Sequence, residues 1–502
     1  MSLPLDIEVT LPTGDKYTQP TGLFINNEFV KSIKGETIDS INPATGEVIC
    51  PVYLADVEDT DVAIAAAREC FETVWFNTAG YERSKYLYKI ATLMEENKEI
   101  LADIEAVDSG KPRKANAIYD ILHCVDVIKF YAGAATTAQS GKTIESTPDK
   151  LTYTVHEPFG VCGQIIPWNY PLSMAVWKIA PALATGNVVV MKTSENTPLS
   201  LLYFCKLVQQ SGLPKGVINV ICGLGRTCGS HLASHMDIDK VSFTGSTAVG
   251  KLIQQLASSN LKAVTMECGG KSPLVVYDDC NFEQAVKWAA FGIMYNMGQI
   301  CTGSSRIYVQ DTIHDKFVEA LVKHVKEIYV QGDPFTDGVQ VGPQVSKVQQ
   351  ERVLGYINSG IEEGATVSLG GKIPEGFPEA SCFIEPTIFS NVTQDMKIVR
   401  EEIFGPVVTV GKFSTEKEAI DLANDTIYGL AAYVFTENIR KAQHFARKVK
   451  SGQIYVNEAN ATDFRVPFGG YKLSGFGREL GEYGISMYTQ AKAVHINVDR
   501  EL

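Results

Sequence analysis

The sequence lacks any long uninterrupted hydrophobic run. None of its 502 residues belongs to a stretch near the roughly 20 apolar residues that a membrane-spanning helix needs, so we expect no membrane contact. The N-terminal segment MSLPLDIEVTLPTGDKY has acidic residues and no arginine, unlike a secretory signal or an Arg-rich transit peptide. These features predict a cytoplasmic protein, and a mitochondrial location would require a presequence missing from this numbering.

Positive charge is also scarce. Lys and Arg number 45 against 58 Asp and Glu, which gives a formal net charge of −13. Binding a polyanion needs a basic surface that releases counterions from the phosphates, so nucleic acid is not an expected partner.

The cysteines and histidines show no metal-site or disulfide spacing. Eleven cysteines, an odd number without short periodic spacing in a large chain, indicate reduced thiols in a reducing compartment. The eight histidines are scattered, and no CxxC pair or Cys/His cluster stands out. We therefore predict that no metal takes part in the chemistry.

Length and hydrophobic content predict two or more packed units. With 502 residues, 45% of them hydrophobic, the chain exceeds the size at which one core stops growing. Apolar residues recur at helical spacing from Tyr86 to Ile104, and Gly110 is a plausible stop, which predicts one amphipathic core helix.

Beyond residue 160, short β-rich runs alternate with helical patterns. The runs are VCGQIIP, NVVVMK, VINVI, KVSFTG and KAVTME. The helix between the second and third has Thr197 as predicted N-cap and Pro198 at its first position, and Gly212 and Pro214 close it. This rhythm predicts a parallel sheet covered by helices on both faces. Ligands of such sheets bind beyond the carboxyl ends of the strands. The residues at those ends are Asn169, Glu195, Ser246 and Glu267.

A second α/β unit begins near Ser272. It contains the run PLVVYD, a helix from about Phe282 to Tyr295, a loop with Cys301 and the strand RIYVQ. We place the domain boundary near residue 270. No long linker separates the halves, so the cleft between them is the expected active site.

Six segments together resemble one enzyme family. They are IIPWNYP (165–171), FTGSTAVG (243–250), VTMECGGKSP (264–273), NMGQICTGSSR (296–306), EEIFGPV (401–407) and PFGGYKLSGFGRELG (467–481). In this order, over nearly the whole chain, they resemble the NAD(P)-dependent aldehyde dehydrogenase superfamily, and the run QPTGLFINNEFV looks closest to fungal members. The resemblance implies oxidation of a small-molecule aldehyde to its carboxylic acid with reduction of NAD.

The resemblance also implies the architecture. It predicts an α/β protein with a Rossmann-like parallel-sheet NAD-binding domain at 1–135 and 155–269 and a catalytic domain at 270–473. A small β oligomerisation element is expected at 136–154 and 488–502. Its strands YTVHE and AVHINV would join subunits into a homotetramer or at least a dimer, although an intramolecular sheet is the alternative.

Cys301 is the predicted nucleophile. Free cysteines are usually buried and structural, but its Gly-rich loop is accessible and matches the nucleophile loop of the family. A thiol with a pKa of roughly 8.5 needs either a lowered pKa or a base. The resemblance assigns the Asn169 amide and the Cys301 backbone N–H as donors to the oxyanion, and losing one such donor typically costs roughly 3 kcal/mol.

Glu267 is the predicted general base for hydrolysis of the thioester. It ends the run AVTME before two glycines, so we expect its carboxylate to face the cleft. Family members that pass the acyl group to coenzyme A lack this base, which favours hydrolysis here. Lys178 and Glu479 match positions associated with proton relay, and structural charges paired elsewhere are the alternative.

The segment Gly245–Gly250 is not the GxGxxG fingerprint, but it follows a strand and opens a helical pattern. Ser246 and adjacent N–H groups could therefore meet a pyrophosphate at a helix N-terminus, whereas an ordinary βα turn is the alternative. The resemblance assigns the following cofactor contacts: Ile165, Ile166, Pro167, Trp168, Lys192, Glu195, Gly225, Phe243, Gly245, Ser246, Val249, Gly269, Glu402 and Phe404.

Glu195 favours NAD over NADP. Its carboxylate can accept hydrogen bonds from the adenosine ribose, whereas a 2′-phosphate would meet a like charge. Lys192 acts in the opposite direction, so dual use with NAD preferred is the alternative.

The predicted substrate pocket is mostly aromatic or aliphatic and has no cation, which suits an uncharged aldehyde. Plain core packing is the alternative for any single aromatic residue. Its residues are Tyr170, Met174, Trp177, Tyr295, Ile300, Thr302 and Phe468.

Two other functions are compatible with parts of the pattern. One is a non-catalytic or structural protein that keeps the fold. The other is a cysteine hydrolase, which would want a histidine near the thiol, and the segments around Asn169, Glu267 and Cys301 contain none.

Overall fold

The computed structural model describes residues 3–501. The strands are β1 (Asp6–Thr10), β2 (Lys16–Pro20), β3 (Leu23–Ile25), β4 (Glu28–Val30), β5 (Thr37–Ile41), β6 (Val48–Tyr53), β7 (Thr143–Ile144), β8 (Lys150–Pro158), β9 (Val161–Ile165), β10 (Val188–Thr193), β11 (Ile218–Cys222), β12 (Lys240–Gly245), β13 (Ala263–Cys268), β14 (Pro273–Val276), β15 (Arg306–Gln310), β16 (Thr366–Leu369), β17 (Thr387–Ser390), β18 (Val407–Phe413), β19 (Ala431–Phe435), β20 (Gln453–Val456), β21 (Gly475–Phe476) and β22 (Thr489–Asn497).

The helices are α1 (Val57–Cys70), α2 (Gly80–Glu96), α3 (Lys98–Ser109), α4 (Ile118–Ala134), α5 (Pro171–Ala184), α6 (Leu199–Ser211), α7 (Ser230–Ser234), α8 (Thr247–Ala257), α9 (Phe282–Met294), α10 (His314–Ile328), α11 (Lys347–Glu362), α12 (Lys397–Arg400), α13 (Glu416–Asn424), α14 (Ile439–Lys448) and α15 (Gly481–Ser486). Within residues 3–501 no helix is long and apolar enough to cross a membrane.

The larger sheet has, among the described residues, the strand order β21-β13-β12-β9-β10-β11-β3-β4. From β13 to β11 all neighbours are parallel, and β21, β3 and β4 extend the sheet antiparallel. Every residue of β9, β10 and β11 is buried, as a sheet covered on both faces requires. The parallel sheet predicted from the five β-rich runs is confirmed.

The strand order of this sheet reverses between β9 and β12. The chain lays down β9, β10 and β11 on one side and then returns to place β12 and β13 on the other. Loops that follow β9 and β12 therefore diverge, and such a switch point is where open α/β sheets bind ligands. Asn169 and Ser246 lie in these two loops.

The second large sheet has the order β16-β17-β18-β15-β14-β19-β20, and of these described strands β16 alone runs antiparallel to its neighbour. The loop with Cys301 leads into β15 of this sheet, whereas Glu267 belongs to β13 of the first sheet. The two predicted catalytic side chains thus come from different sheets. The exact domain limits proposed from the sequence stay a prediction.

The single helix predicted from Tyr86 to Ile104 is wrong, because this segment forms α2 and α3. Asn97 separates them with φ of −107° and ψ of 16°, and its side-chain amide donates to the Leu93 carbonyl at 2.8 Å. Both helices bury apolar faces, so the helical periodicity continues across the break. The stop at Gly110 is confirmed by its left-handed φ of 78°.

The predicted start of α6 is also wrong by one residue. Pro198 is the N-cap, and the Thr197 hydroxyl donates to the Trp168 carbonyl at 3.3 Å instead of capping the helix. The backbone N–H of Leu199 is bound by the buried Asp108 carboxylate of α3 at 2.8 Å. A carboxylate from a distant helix thus replaces the local cap, while the predicted end at Gly212 is confirmed.

The two strands predicted to join subunits pair with each other within the chain. β8 and β22 are antiparallel over their full length, from Lys150 opposite Asn497 to Pro158 opposite Thr489, and β7 pairs with β8. The intramolecular sheet that the sequence left as the alternative therefore exists. Most side chains of β22 are exposed, and among the described residues β8 is its sheet partner.

Candidate active site

A cavity of about 400 Å³ lies between the two large sheets. Its walls come from the loop after β9, helix α5, the end of β13, the loop before β15 and the segment before β18. The predicted residues that line it are Pro167, Trp168, Asn169, Tyr170, Met174, Trp177, Gly245, Ser246, Glu267, Gly269, Tyr295, Ile300, Cys301, Thr302, Glu402, Phe404 and Phe468.

The remaining predicted residues do not line this cavity. Most of them lie in or beside the strands and helices of the larger sheet, and Gly225 is exposed at the surface after β11. They are Ile165, Ile166, Lys178, Lys192, Glu195, Gly225, Phe243, Val249 and Glu479.

Two glycines allow the loop with Cys301 to adopt its path. Gly298 has φ of 67°, and a Cβ there would collide with the Gly405 carbonyl. A Cβ at Gly270 would collide with the Cys301 carbonyl. The Gly-rich sequence around the nucleophile is thus required by close backbone approach, and Cys301 itself is half-buried at the cavity wall.

The thiol of Cys301 and the carboxyl group of Glu267 line the same cavity and act on each other's pKa. Burial raises the pKa of the Cys301 thiol well above its ordinary value, and the negative charge of Glu267 raises it further. Burial, followed by the charge of Glu479, raises the pKa of Glu267 to about 8, while Lys178 opposes that shift. Because the thiol pKa is not lowered, this geometry fits the second sequence-based alternative, recruitment of a base.

Asn169 is fixed against the nucleophile loop. Its Nδ2 donates to the Gln299 backbone carbonyl at 2.9 Å, and its backbone carbonyl accepts from Asn296 Nδ2 at 3.1 Å. An amide nitrogen carries two hydrogens, so one N–H of Asn169 is left for the cavity that the residue lines.

Lys178 and Glu479 form a buried ion pair at 2.5 Å. Lys178 Nζ also donates to Thr244 Oγ1 at 2.6 Å, and Oε2 of Glu479 has no hydrogen-bond partner among the described residues. The charges of both residues act on the pKa of Glu267. The ion pair therefore leaves one carboxylate oxygen without a hydrogen bond, and its charges influence the pKa of Glu267, the predicted base.

The N-terminus of α8 lies at the switch point of the larger sheet. Ser246 is its N-cap and accepts from the Val249 N–H at 3.3 Å. The first N–H groups of a helix have no partner within the helix, and the helix dipole favours negative charge there. This end of α8 can hold a pyrophosphate.

Lys192 and Glu195, which we expected to act in opposite directions on a 2′-phosphate, contact each other. Lys192 Nζ lies 3.1 Å from Glu195 Oε2 and also donates to the Thr193 carbonyl at 2.9 Å. The lysine side chain is buried, while that of Glu195 is one third exposed. The carboxylate is thus the more accessible charge of the pair.

Glu402 and Phe404, which the resemblance assigns to the cofactor, both line the cavity. Glu402 Oε1 accepts from the Gly270 N–H at 2.8 Å, and burial raises the pKa of this carboxyl to about 7. Phe404 has a left-handed φ of 61°, and its ring packs edge-on against Trp168 with centroids 5.2 Å apart.

The structure adds cavity residues that the sequence reasoning did not single out, although Thr244 and Cys268 lie within two of the quoted segments. The packing of α4 against α5 brings Tyr119, Asp120 and His123 to the wall. Ser173 lies in the first turn of α5, three residues after the N-cap Tyr170, so helical spacing could have indicated it. The added residues are Tyr119, Asp120, His123, Ser173, Thr244, Cys268, Gln349, Arg352, Asn460 and Thr462.

A second polar cluster lies apart from the cavity. Asp61 Oδ1 is 2.5 Å from His231 Nε2 and 3.3 Å from His235 Nε2, so helices α1 and α7 are linked. His235 Nδ1 accepts from the Asp237 N–H at 3.0 Å, which keeps the proton of the neutral ring on Nε2. A metal ion would need that nitrogen unprotonated, so the contacts are those of a hydrogen-bonded cluster.

Comparison with known proteins identifies relatives over the whole chain. The aldehyde dehydrogenase family model matches residues 29–494. The chain is 50% identical over 505 residues to an aldehyde dehydrogenase-like protein of Schizosaccharomyces pombe, covering 100% of both, and 49% identical over 485 residues to aldehyde dehydrogenase (NAD(P)+) 1 of Saccharomyces cerevisiae, covering 96% of each.

Solved structures with the same fold include two with bound cofactor. The NAD+ complex of aldehyde dehydrogenase from Bacillus cereus is 46% identical, with a TM-score of 0.93, covering 95% of this chain and 97% of that chain. The NAD+ complex of betaine aldehyde dehydrogenase from Staphylococcus aureus is 42% identical, with a TM-score of 0.94, covering 96% of each.

Proposed function

This chain belongs to the aldehyde dehydrogenase family, and from that premise we propose that it oxidises an uncharged aldehyde to the carboxylic acid with NAD, by hydrolysis and not by acyl transfer to coenzyme A. The family, the likeness to fungal members and the α/β fold predicted from the motifs are confirmed. The observation that carries the mechanistic proposal is the convergence of Asn169, Glu267 and Cys301 on one cavity from separate elements.

The first step is attack of Cys301 Sγ on the aldehyde carbon. Glu267 takes the thiol proton, because the two groups line the same cavity and a carboxyl pKa of about 8 suits proton exchange near neutral pH. The remaining Asn169 side-chain N–H and the Cys301 backbone N–H stabilise the oxyanion that forms.

The residues of the chain fit a bound dinucleotide. The capped N-terminus of α8 would hold the pyrophosphate, and Glu402 lies over Gly269 and Gly270 beside the nucleophile loop. When bound, the nicotinamide supplies the hydride acceptor. Loss of hydride leaves a thioester on Cys301, and the cavity must then admit water.

Glu267 acts again in hydrolysis of the thioester. Its Oε1 has no hydrogen-bond partner among the described residues, so it can accept a proton from water. Lys178 and Glu479 form a buried ion pair whose charges act on Glu267. We propose that the unpartnered Oε2 of Glu479 receives the proton as it moves from Glu267 toward solvent.

NAD is the proposed preferred cofactor, with NADP used less well. The partly exposed Glu195 carboxylate would face a 2′-phosphate, and its ion pair with Lys192 partly neutralises that lysine. Named relatives support both parts, since the Saccharomyces cerevisiae protein is named for NAD(P)+ and the Bacillus cereus protein has been solved with NAD+.

Aldehyde-dependent formation of NADH, measured beside ester hydrolysis without cofactor, tests the function. We expect NADH and acid in equal amounts, without a requirement for coenzyme A. Ester hydrolysis with no NADH formation would instead support a cysteine hydrolase. The absence of both activities would support a structural protein. The histidine on the described cavity wall, His123, is bonded to Trp177, which gives the hydrolase no support.

We further propose a homotetramer, or at least a dimer, assembled through the sheet β22-β8-β7. The long and mostly exposed strand β22 has an edge that a second copy could extend. Light scattering at micromolar concentration should give a multiple of the chain mass of 54.9 kDa, and a monomeric mass would refute the assembly. The cytoplasmic location stays a prediction.

A further inference from the structure

A histidine stands among aromatic rings on the cavity wall. His123 belongs to α4 and lines the same cavity as Cys301. Its ring centroid lies 5.8 Å from that of Trp177 and 6.4 Å from that of Phe464, and Trp177 in turn packs against Phe468 at 5.2 Å. His123 is therefore a polar group within an otherwise largely apolar surface.

The contact with Trp177 fixes the tautomer of this histidine. Trp177 Nε1 donates to His123 Nε2 at 3.2 Å, and an indole N–H can only donate. Nε2 must then be unprotonated, so the proton lies on Nδ1. Burial lowers the pKa of His123, with Asp126 and Asp463 opposing the shift, which favours the neutral ring. No described residue forms a hydrogen bond with Nδ1, so the ring offers an N–H donor.

The charged groups near this donor are the carboxylates Asp120, Asp126 and Asp463, and two of them are paired. Asp120, which also lines the cavity, is bound by the buried Lys111 at 2.8 Å. Asp463 is bound by Arg465 at 2.6 Å. An anionic substrate tail would be repelled by these carboxylates, so the donor of His123 suits a neutral oxygen.

We propose that His123 is a specificity-determining residue that donates a hydrogen bond from Nδ1 to a neutral oxygen at the far end of the substrate. The enzyme then prefers aldehydes with an ether, hydroxyl or carbonyl oxygen there over hydrocarbon aldehydes of the same size. The reason is that a hydrocarbon tail would bury the N–H without a partner. This inference rests on the proposed function, because it assumes aldehyde oxidation at Cys301.

A matched pair of substrates isolates the hydrogen bond. 4-Methoxybenzaldehyde and 4-ethylbenzaldehyde have nearly the same shape and differ in an ether oxygen against a methylene group. The ratio of their kcat/KM values is measured in the wild type and in His123→Met. The electronic effect of the methoxy group is common to both enzymes and cancels, and we expect the ratio to fall about 5-fold in the variant.

Two further variants separate the hydrogen bond from packing. His123→Phe keeps a ring against Phe464 and Trp177 but has no donor, so it should lower the ratio as much as His123→Met does. His123→Gln can accept from Trp177 and donate with its amide, so its ratio should stay within about 2-fold of the wild type.

The outcomes distinguish this inference from the proposed function. An unchanged ratio in both His123→Met and His123→Phe, with either aldehyde still oxidised, overturns the role of His123 and leaves the proposed function standing. Equal loss of activity on both aldehydes is also an unchanged ratio and overturns it. If the wild type oxidises neither these aldehydes nor acetaldehyde, the proposed function itself fails.

Discussion

Two buried clusters in this protein use the same ingredients, one lysine and two carboxylates, in different ways. In the first, Lys111 contacts both Glu105 and Asp120, at 3.3 and 2.8 Å. In the second, Lys178 contacts Glu479 at 2.5 Å but has no ion pair with Glu267. Both carboxylates of the first cluster are thus paired with its lysine, whereas Glu267 in the second cluster has no paired cation.

The difference separates a structural cluster from a reactive one. Burial also raises the pKa of Glu105 and Asp120, against the opposing charge of Lys111, whereas Glu267 has no paired cation, and burial with the charge of Glu479 raises its pKa to about 8. Groups with such shifts concentrate where proton transfer takes place. The comparison therefore predicts that changes near Glu267 affect rate and pH dependence, whereas changes near Lys111 affect stability.

The largest effect should come from replacing Cys301, the thiol whose proton Glu267 accepts in the proposed mechanism. Cys301→Ser should lower aldehyde oxidation by more than about 1,000-fold, because a hydroxyl is far less nucleophilic than a thiolate. NADH formation measures the loss, and calorimetric titration with NAD should show nearly unchanged binding. Near-normal turnover in this variant would end the mechanism proposed here.

Removal of the unpaired carboxylate should have the next largest effect. Glu267→Gln should lower steady-state turnover by about 100-fold or more, since both the thiol and water lose their base. The thiol pKa should also fall without the neighbouring charge, so stopped-flow measurements should show a burst of NADH that returns at alkaline pH while deacylation stays slow. Normal turnover at neutral pH would contradict the role of Glu267.

Lys178, the lysine of the reactive cluster, should set the pH range in which Glu267 acts as a base. A general base works in its ionised form, so the deacylation rate should rise as pH increases through about 8. Lys178 lowers the pKa of Glu267, and Lys178→Met should therefore move this rise to higher pH by about one unit. The pH profile of single-turnover deacylation measures the shift.

Lys111→Met is the matched control for that variant. It leaves two buried carboxylates without their cation and should cost about 3 kcal/mol of unfolding free energy, measured by denaturant titration. The pH profile should keep its wild-type position. Identical pH shifts in both variants would remove the distinction between the clusters.

The smallest effect concerns a third lysine and carboxylate pair, which is partly exposed. Glu195→Gln should raise kcat/KM for NADP by about 10-fold with little change for NAD, because the charge that opposes the 2′-phosphate is lost. Steady-state kinetics with both cofactors measure this change. If the wild type already prefers NADP, the buried Lys192 must dominate the interaction.

Local patterns predicted much of the fold. The β-rich runs after residue 160 predicted the parallel strands, and Gly110 and Gly212 marked true helix ends because left-handed backbone at a helix end favours glycine. The break at Asn97 was missed, since apolar periodicity continues through it. The cap of α6 was missed because Asp108, which binds the first N–H, lies 91 residues away in the chain.

The candidate site was predicted unevenly for the same reason. Cys301, Glu267 and Asn169 lie in short segments whose composition is distinctive, and the structure places all three on one cavity. His123 carried no local signal, because α4 reaches the cavity only through its packing against α5.

The sequence by itself determined the family, the parallel strands after residue 160 and the short segments that contain Cys301, Glu267 and Asn169. Only the tertiary structure decided which carboxylate lacks a cation, because Lys178 and Glu479 are 301 residues apart in the chain yet form an ion pair. Burial and pairing act through space, so the pKa of Glu267 depends on neighbours that sequence proximity does not reveal.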